Sequence, residues 1–325
     1  MEKVFEVLAA LSDGKTHSGA ALAADFGIGR GAVWSRVKRL QALGADISAV
    51  PGKGYQLVPA FEFLSAARIT EHLAPEVRAG LGALQVCAVV DSTNQRLLDA
   101  AQSSDIHGEA WLAEFQTAGR GRRGDRWLAV PGACICLSLG WRFNVPPRDL
   151  GALSLVVGVA VARALQGLGA RGLALKWPND VLYAGRKLAG ILIEMRSELG
   201  GPCTVVIGIG VNVALGAEVQ AKIDQPTASL ADACVAVPAR NRIAAALLAS
   251  LFETLQAFAT NGVGAFVPAW QTLDALAGQA VEVTLPGRIV HGIARGVDIN
   301  GLLQIEHDGR VEAFLAGHVR LRGAS

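Results

Sequence analysis

The side chains best suited to chemistry sit in the middle of the chain. Residues 119–124 read Gly-Arg-Gly-Arg-Arg-Gly and place Arg120, Arg122 and Arg123 in one short segment, with Arg126 just beyond. Guanidinium forks suit carboxylates and phosphates, and Gly119, Gly121 and Gly124 let the backbone come close to a ligand. The string matches the GxGxxG of dinucleotide-binding turns in form only. That turn opens a helix and is followed about twenty residues on by an acid. Here Asp125-Arg126-Trp127 runs on to a Pro131-Gly132 turn. The segment reads as an anion loop that orders around its ligand, the plainer alternative being a solvated basic or RNA-contacting stretch.

Two lysines accompany it. Lys176-Trp177-Pro178-Asn179-Asp180 closes an apolar strand, and a lysine in such a run is costly to bury unless it meets an anion. Asn179 and Asp180 suit a ribose hydroxyl or a cation; the plainer alternative is a turn from which Lys176 reaches out to water. Lys187 stands at the entrance of a second strand, with Gly190 permitting close backbone approach. Ser92, Thr93 and Asn94 precede a helical pattern that they can cap, and the same groups suit an uncharged ligand end such as a urea. Gly208-Ile209-Gly210-Val211-Asn212 is a glycine-permissive strand end bearing one amide.

Other chemistries lack their residues. None of the six histidines pairs with another at metal-ligand spacing, and neither GxSxG nor GxxxxGK[ST] occurs. The five cysteines are odd in number with no CxxC, which reads as free thiols in a reducing compartment. An arginine loop and two strand-associated lysines without a protein nucleophile suit nucleotidyl transfer, in which a substrate carboxylate attacks phosphorus and fixed cations meet the developing charge.

The elements that must hold these groups fall into three segments. Alternating helical and strand patterns occupy residues 63–273, with strands expected at Leu84–Val90, Ala110–Phe115, Ala133–Leu139, Leu173–Trp177, Gly190–Met195 and Thr204–Val211. Apolar helices are expected over Leu150–Leu168 and Arg242–Ala259, and the mixture indicates an α/β or α+β domain. Residues 274–325 hold five short strand patterns separated by Gly, Asp and Asn turns, as in a small β-barrel. Residues 1–62 read as three helices and a hairpin turning at Pro51-Gly52-Lys53-Gly54, the order of a winged helix-turn-helix. Ser18 caps the second helix of that module. The third carries Arg30, Ser35, Arg36, Lys38 and Arg39 with no acid between Gly27 and Ala45, and Lys53 sits in the wing. Cations for phosphates and a hydroxyl for base edges suit DNA; the plainer alternative is a helical interaction module with a solvated face.

Net charge is only +2, so charge-driven binding must come from such local clusters. At 51% hydrophobic residues the chain can fill a core, and no run of ~20 mostly apolar residues suggests a membrane span. The first residues lack a basic head and a small-residue cleavage site, so the expected location is the cytoplasm.

Four motifs in order, Gly119–Gly124 after Glu114-Phe115-Gln116-Thr117-Ala118, Lys176–Asp180, Arg186–Glu194 and Gly208–Asn212, resemble those of the bifunctional biotin–protein ligases that also repress the biotin operon. The resemblance extends to residues 17–23 and 51–57 of the front module and to residues 293–322 of the tail. It implies a winged helix, a mixed-sheet ligase domain of the biotin/lipoyl type and a small Src-homology-like barrel. It implies attack of the biotin carboxylate on ATP with Mg2+, then transfer to a lysine of the biotin carboxyl carrier protein of acetyl-CoA carboxylase. Ser92, Thr93, Asn94 and Gln116 would hold biotin, with Arg120, Gly121 and Arg122 closing over it and Lys187 at its carboxylate. Arg123, Trp127, Lys176, Asn179 and Asn212 would hold the nucleotide, and Asp180 could take a metal. The adenylate-loaded form would dimerise and bind operator DNA. A sensor without catalysis, or a ligase for lipoate or octanoate, would be the alternatives. Asp125 in the loop and Trp34 on the third helix depart from the expected pattern.

Overall fold

The computed structural model describes residues 1–197, 202–221 and 223–321. Apolar residues at helical spacing build the front module: α1 (Glu2–Leu11), α2 (Gly19–Asp25) and α3 (Arg30–Ala42) bury Val7, Leu8 and Leu11 against Val33, Val37 and Leu40. Ser18 caps α2, its Oγ accepting from the Ala21 amide at 3.0 Å. Strands β1 (Ile47–Val50) and β2 (Gly54–Leu57) form the hairpin, and His17 joins β2 near the turn by reciprocal bonds with Tyr55, both 2.9 Å. Gly54 has φ +134°, and a side chain there would collide with the His17 carbonyl.

Next come α4 (Ala66–Glu71), α5 (Pro75–Gly80), β3 (Leu84–Val90), α6 (Thr93–Ala100), β4 (Ala110–Gln116), β5 (Cys134–Phe143) and α7 (Leu153–Gly167). They are followed by β6 (Leu173–Lys176), β7 (Asp180–Tyr183), β8 (Arg186–Ser197), β9 (Cys203–Asn212), α8 (Ala217–Gln220), α9 (Leu230–Ala233), α10 (Arg240–Asn261) and α11 (Val267–Thr272). The seven strands form one sheet in the order β3-β4-β5-β9-β8-β7-β6, parallel only between β3 and β4. Period-two alternation gives the sheet two distinct faces. On β5, Ile135, Leu137 and Leu139 face the large core with α7 and α10. Cys134 and Cys136 face away from it, toward the front module's core, and Ser138 meets α6.

The sequence missed β7, which it took for the end of a turn, because four residues headed by Asp carry too little pattern. It also began β8 four residues late, at Gly190 rather than Arg186. Helices α7 and α10 run close to their expected spans. By length and composition α10 and residues 147–167 could each cross a membrane, a feature the sequence survey did not find. Both instead turn mostly buried faces toward the sheet and each other.

Strands β10 (Ala280–Leu285), β11 (Arg288–Val297), β12 (Leu303–His307), β13 (Arg310–Phe314) and β14 (His318–Leu321) form an antiparallel sheet ordered β13-β12-β11-β10-β14. All five expected strand patterns are present, while residues 322–325 lie outside the described residues. Val281, Val283 and Ala294 of this sheet share the large core of the central segment. Trp177, buried, donates from Nε1 to the Gly301 carbonyl at 3.4 Å.

The connection from the front module is pinned by a buried ion pair. Arg240 at the start of α10 and Glu114 on β4 are 3% and 2% exposed and 2.6 Å apart. Arg240 also donates to the carbonyls of Glu62 and Cys134 and lies over the Phe61 ring, while Glu114 accepts from the Leu64 amide. The five cysteines are free, and burial pushes the Cys134 thiol up to about 11, leaving it inert near neutrality.

Candidate active site

The polar floor of the site is assembled where α6 starts. Ser92 caps that helix, its Oγ accepting from the Gln95 amide at 3.4 Å. Gln116 at the end of β4 accepts with Oε1 from both the amide (2.7 Å) and the hydroxyl (3.0 Å) of Thr93. Ser138 Oγ lies 2.7 Å from Thr93 Oγ1 and 2.5 Å from Asn94 Oδ1. Ser92, Thr93, Asn94, Gln116 and Ser138 are all buried, so an uncharged polar network is concentrated on one face of the sheet. Strand residues give it room: a side chain at Gly208 would collide with the Asn94 amide, and one at Gly210 with the Trp127 ring.

The arginine segment folds back over this floor as a small closed lobe. The Gly121 amide donates to the Asp125 carbonyl (2.7 Å), and the Trp127 amide to that of Gly119 (3.0 Å). Arg123 at φ 55° and Gly124 at φ 85° make the reversal. Arg120 reaches from the lobe to Gln95 Oε1 (2.7 Å) and Glu194 Oε1 (2.6 Å). Arg122 points the other way and donates to Asn179 Oδ1 at 3.4 Å. Burial, and secondarily Arg123, lowers the pKa of Arg122, with Asp180 opposing.

A cationic cluster lies beyond. Lys187 Nζ is 2.8 Å from Asp180 Oδ1, and Lys176 sits across the β6–β7 pairing from Asp180. Burial holds Lys176 below the usual lysine range; Lys187 and Arg320 push it the same way and Asp180 opposes. His318 on β14 is also lowered, first by burial and then by Arg320, Lys176 and Arg123, with Asp125 opposing. Arg122, Arg123, Lys176, Lys187 and Arg320 thus outnumber the carboxylates of Asp180 and Asp125 that act on them or their neighbours. An excess of positive charge, half-buried at Arg122, Lys176 and Lys187, beside an uncharged polar floor can take a ligand with one neutral hydrogen-bonding end and one anionic end.

The structure brings together the residues expected from the motifs, and three of the expected contact residues are engaged by other groups of the protein. Asn212 Nδ2 donates to the carbonyls of Ala228 (3.1 Å) and Lys187 (3.4 Å), which ties the end of β9 to the start of β8, while its Oδ1 faces the Cys134 thiol at 3.8 Å. Asp180 is the ion partner of Lys187, and no cluster of three metal-ligating side chains occurs among the described residues. Arg36, 15% exposed, is 3.3 Å from Glu6 on α1, which engages it as a packing residue of the front module. Arg30, Ser35, Lys38, Arg39 and Lys53 are exposed, as is Trp34 at 55%. Asn179 donates to the Ile191 carbonyl (2.8 Å) while its Oδ1 faces Arg122. Asp125 makes the lobe's backbone closure, and its charge opposes the lowering of the His318 pKa.

Sequence reasoning missed Ser138, Glu194, His318 and Arg320. Ser138 and Glu194 are polar residues inside the apolar stretches Cys134–Leu139 and Leu188–Met195, a signal that was there to read. His318 and Arg320 carried none, since the tail's approach to the site is a tertiary event.

Residues 86–212 match the biotin/lipoate A/B protein ligase family, residues 3–56 a helix-turn-helix domain, and residues 277–322 the biotin protein ligase C-terminal domain. The chain is 36% identical to the bifunctional ligase/repressor BirA of Escherichia coli over 98% of its own length and 97% of that protein's. It is 41% identical to the biotin–[acetyl-CoA-carboxylase] ligase of Mycobacterium tuberculosis over 74% of this chain and 90% of that one. Among solved structures, the biotin protein ligase of Aquifex aeolicus in complex with biotin and ATP superposes with a TM-score of 0.64 at 25% identity, covering 74% of this chain and all of that one. Matched along almost its whole length and in all three segments, the chain belongs to the family of bifunctional biotin ligase/repressors.

Proposed function

We propose that the protein activates biotin with ATP to biotinyl-5′-adenylate and transfers biotin to one lysine of the biotin carboxyl carrier protein of acetyl-CoA carboxylase. The observation that carries this is the pairing of a neutral polar floor with the cation cluster of Arg122, Lys176 and Lys187. The floor, Ser92, Thr93, Asn94 and Gln116, suits the ureido end of biotin, with Arg120 and Gly121 of the lobe above it. Lys187 meets the carboxylate and exchanges Asp180 for it. Arg122, Arg123, Lys176 and Asn179 face the phosphates, and Trp127 the nucleotide base. The carboxylate oxygen forms a bond to the α-phosphorus, and the bond from that phosphorus to pyrophosphate breaks. The carrier lysine then bonds to the biotin carbonyl, releasing AMP and a proton. Fixed cations oppose the charge that grows on phosphorus, and the lobe keeps water from the mixed anhydride. Magnesium enters as the companion of the nucleotide phosphates, as part of the substrate.

Residues 1–62 form the DNA-binding domain in this proposal, 63–273 the ligase domain and 274–325 the C-terminal domain. Exposed Arg30, Lys38, Arg39 and Lys53 meet operator phosphates, and Ser35 meets base edges. Ser18, which caps α2, orients that helix against the backbone. The adenylate-bound chain dimerises on the biotin operator and represses it, in the cytoplasm.

The test is incubation of the purified protein with MgATP and labelled biotin, with and without a biotin carboxyl carrier domain. Label on the carrier lysine is the expected result. Biotin binding with neither adenylate nor labelled carrier would make the protein a sensor and overturn the catalytic assignments.

A further inference from the structure

Strand β8 carries one acid, Glu194, and it lies on the floor side of the sheet, two residues beyond Leu192, which pairs with Gly208. A carboxylate beside an anion site opposes the ligand unless its charge is engaged elsewhere. Both of its oxygens are engaged. Oε1 accepts from Arg120 of the lobe at 2.6 Å, and Oε2 accepts from Asn94 Nδ2 at 2.9 Å. The second nitrogen of Arg120 donates to Gln95 Oε1 on α6 at 2.7 Å. A side-chain amide has two orientations, and only one puts its NH2 on a carboxylate. By holding Nδ2, Glu194 leaves Asn94 Oδ1 turned to Ser138, 2.5 Å away, and so to Thr93 and Gln116.

We propose that Glu194 is a positioning residue that latches the arginine lobe, through Arg120, onto the amide of Asn94, so that closing the lobe and orienting the polar floor are one event. The inference rests on the floor being the biotin site. Arg120 neutralises Glu194 only when the lobe is down, and a neutralised, doubly engaged Glu194 fixes Asn94 in the orientation that Ser138 completes.

Glu194→Gln is the informative variant, because its amide can accept from Arg120 or from Asn94 with its one oxygen but turns an NH2 toward the other. Glu194→Asp keeps the charge on a shorter stem. In the full-length, unliganded protein, trypsin cleavage at the arginines of residues 120–126 is compared with the KM for biotin and the kcat of adenylate formation. Glu194→Gln is expected to nick about ten-fold faster, the equivalent of one charge-assisted hydrogen bond. KM for biotin rises, kcat and Tm stay near wild type, and Glu194→Asp recovers part of the loss. Nicking of Glu194→Gln at the wild-type rate would overturn the latch. Failure of the wild-type protein to make adenylate would instead overturn the proposed function, and the cleavage comparison would still decide the latch.

Discussion

Lys176 is a half-buried lysine with Asp180 as well as cations for neighbours, and its burial is the largest reason its pKa is lowered from 10.5. A base whose pKa is lowered gives up its proton sooner as pH rises, so the phosphate end of the site discharges at a pH below that of an ordinary lysine. Adenylate formation is therefore expected to lose kcat/KM on an alkaline limb that begins below the pKa of a free lysine, ~10.4. Lys176→Arg, which does not titrate there, moves that limb upward; an unchanged limb would remove Lys176 from the phosphate contacts. The contrast with Lys187 is instructive. Lys187 has Asp180 at 2.8 Å and needs no ligand for its charge, whereas no hydrogen bond or ion pair engages Lys176 among the described residues. In the sequence Lys176 stood out as a cation in an apolar run and Lys187 as one at the entrance of a strand; the partner that tells them apart lies on a strand the sequence did not show.

Strand β9 is written for close approach. Gly208 and Gly210 alternate on the face opposite Ile207 and Ile209, so one strand seals the core with its isoleucines and leaves room for Asn94 and Trp127 with its glycines. Gly210→Ala puts a methyl group into the Trp127 ring, and the lobe that Trp127 anchors must shift. Overpacking of this kind costs about 1–3 kcal/mol. The expected outcome is weaker biotin and adenylate retention with altered tryptophan emission, while the isoleucine face keeps the sheet folded. Wild-type adenylate retention in Gly210→Ala would mean that Trp127 has no part in holding the ligand. The glycines were legible as a permissive strand end, but nothing local said which side chains would use the space.

At the scale of the whole molecule, the segment between α11 and the C-terminal sheet, which bridges to β6, contains a half-buried acid with one oxygen unpartnered. Asp274 accepts at Oδ1 from the Leu276 amide, but Oδ2 is buried with no partner, and burial raises its pKa from 3.8 to about 6. A raised carboxyl pKa means that the native state favours the protonated form. The stability it allows is complete below the unfolded value and is lost as pH rises through about 6. Asp274→Asn keeps the acceptor at Oδ1 and removes the charge. It is expected to be more stable than wild type at pH 8 by about 1–2 kcal/mol after screening, with the gap closing near pH 4. Equal denaturation midpoints at both pH values would show that the carboxyl is solvated. The sequence by itself determined the order of the three segments, the helices and most strands of the central sheet, and the anion chemistry of the arginine lobe. Those depend on periodicity, capping and residue type, which act over a few positions. Only the tertiary structure decided the partners: Lys187 on Asp180, Arg36 on Glu6, Asn212 spent on backbone carbonyls, and Glu194 between lobe and floor. Charges and amides choose partners by distance and burial, and those are fixed when strands far apart in the chain come into register.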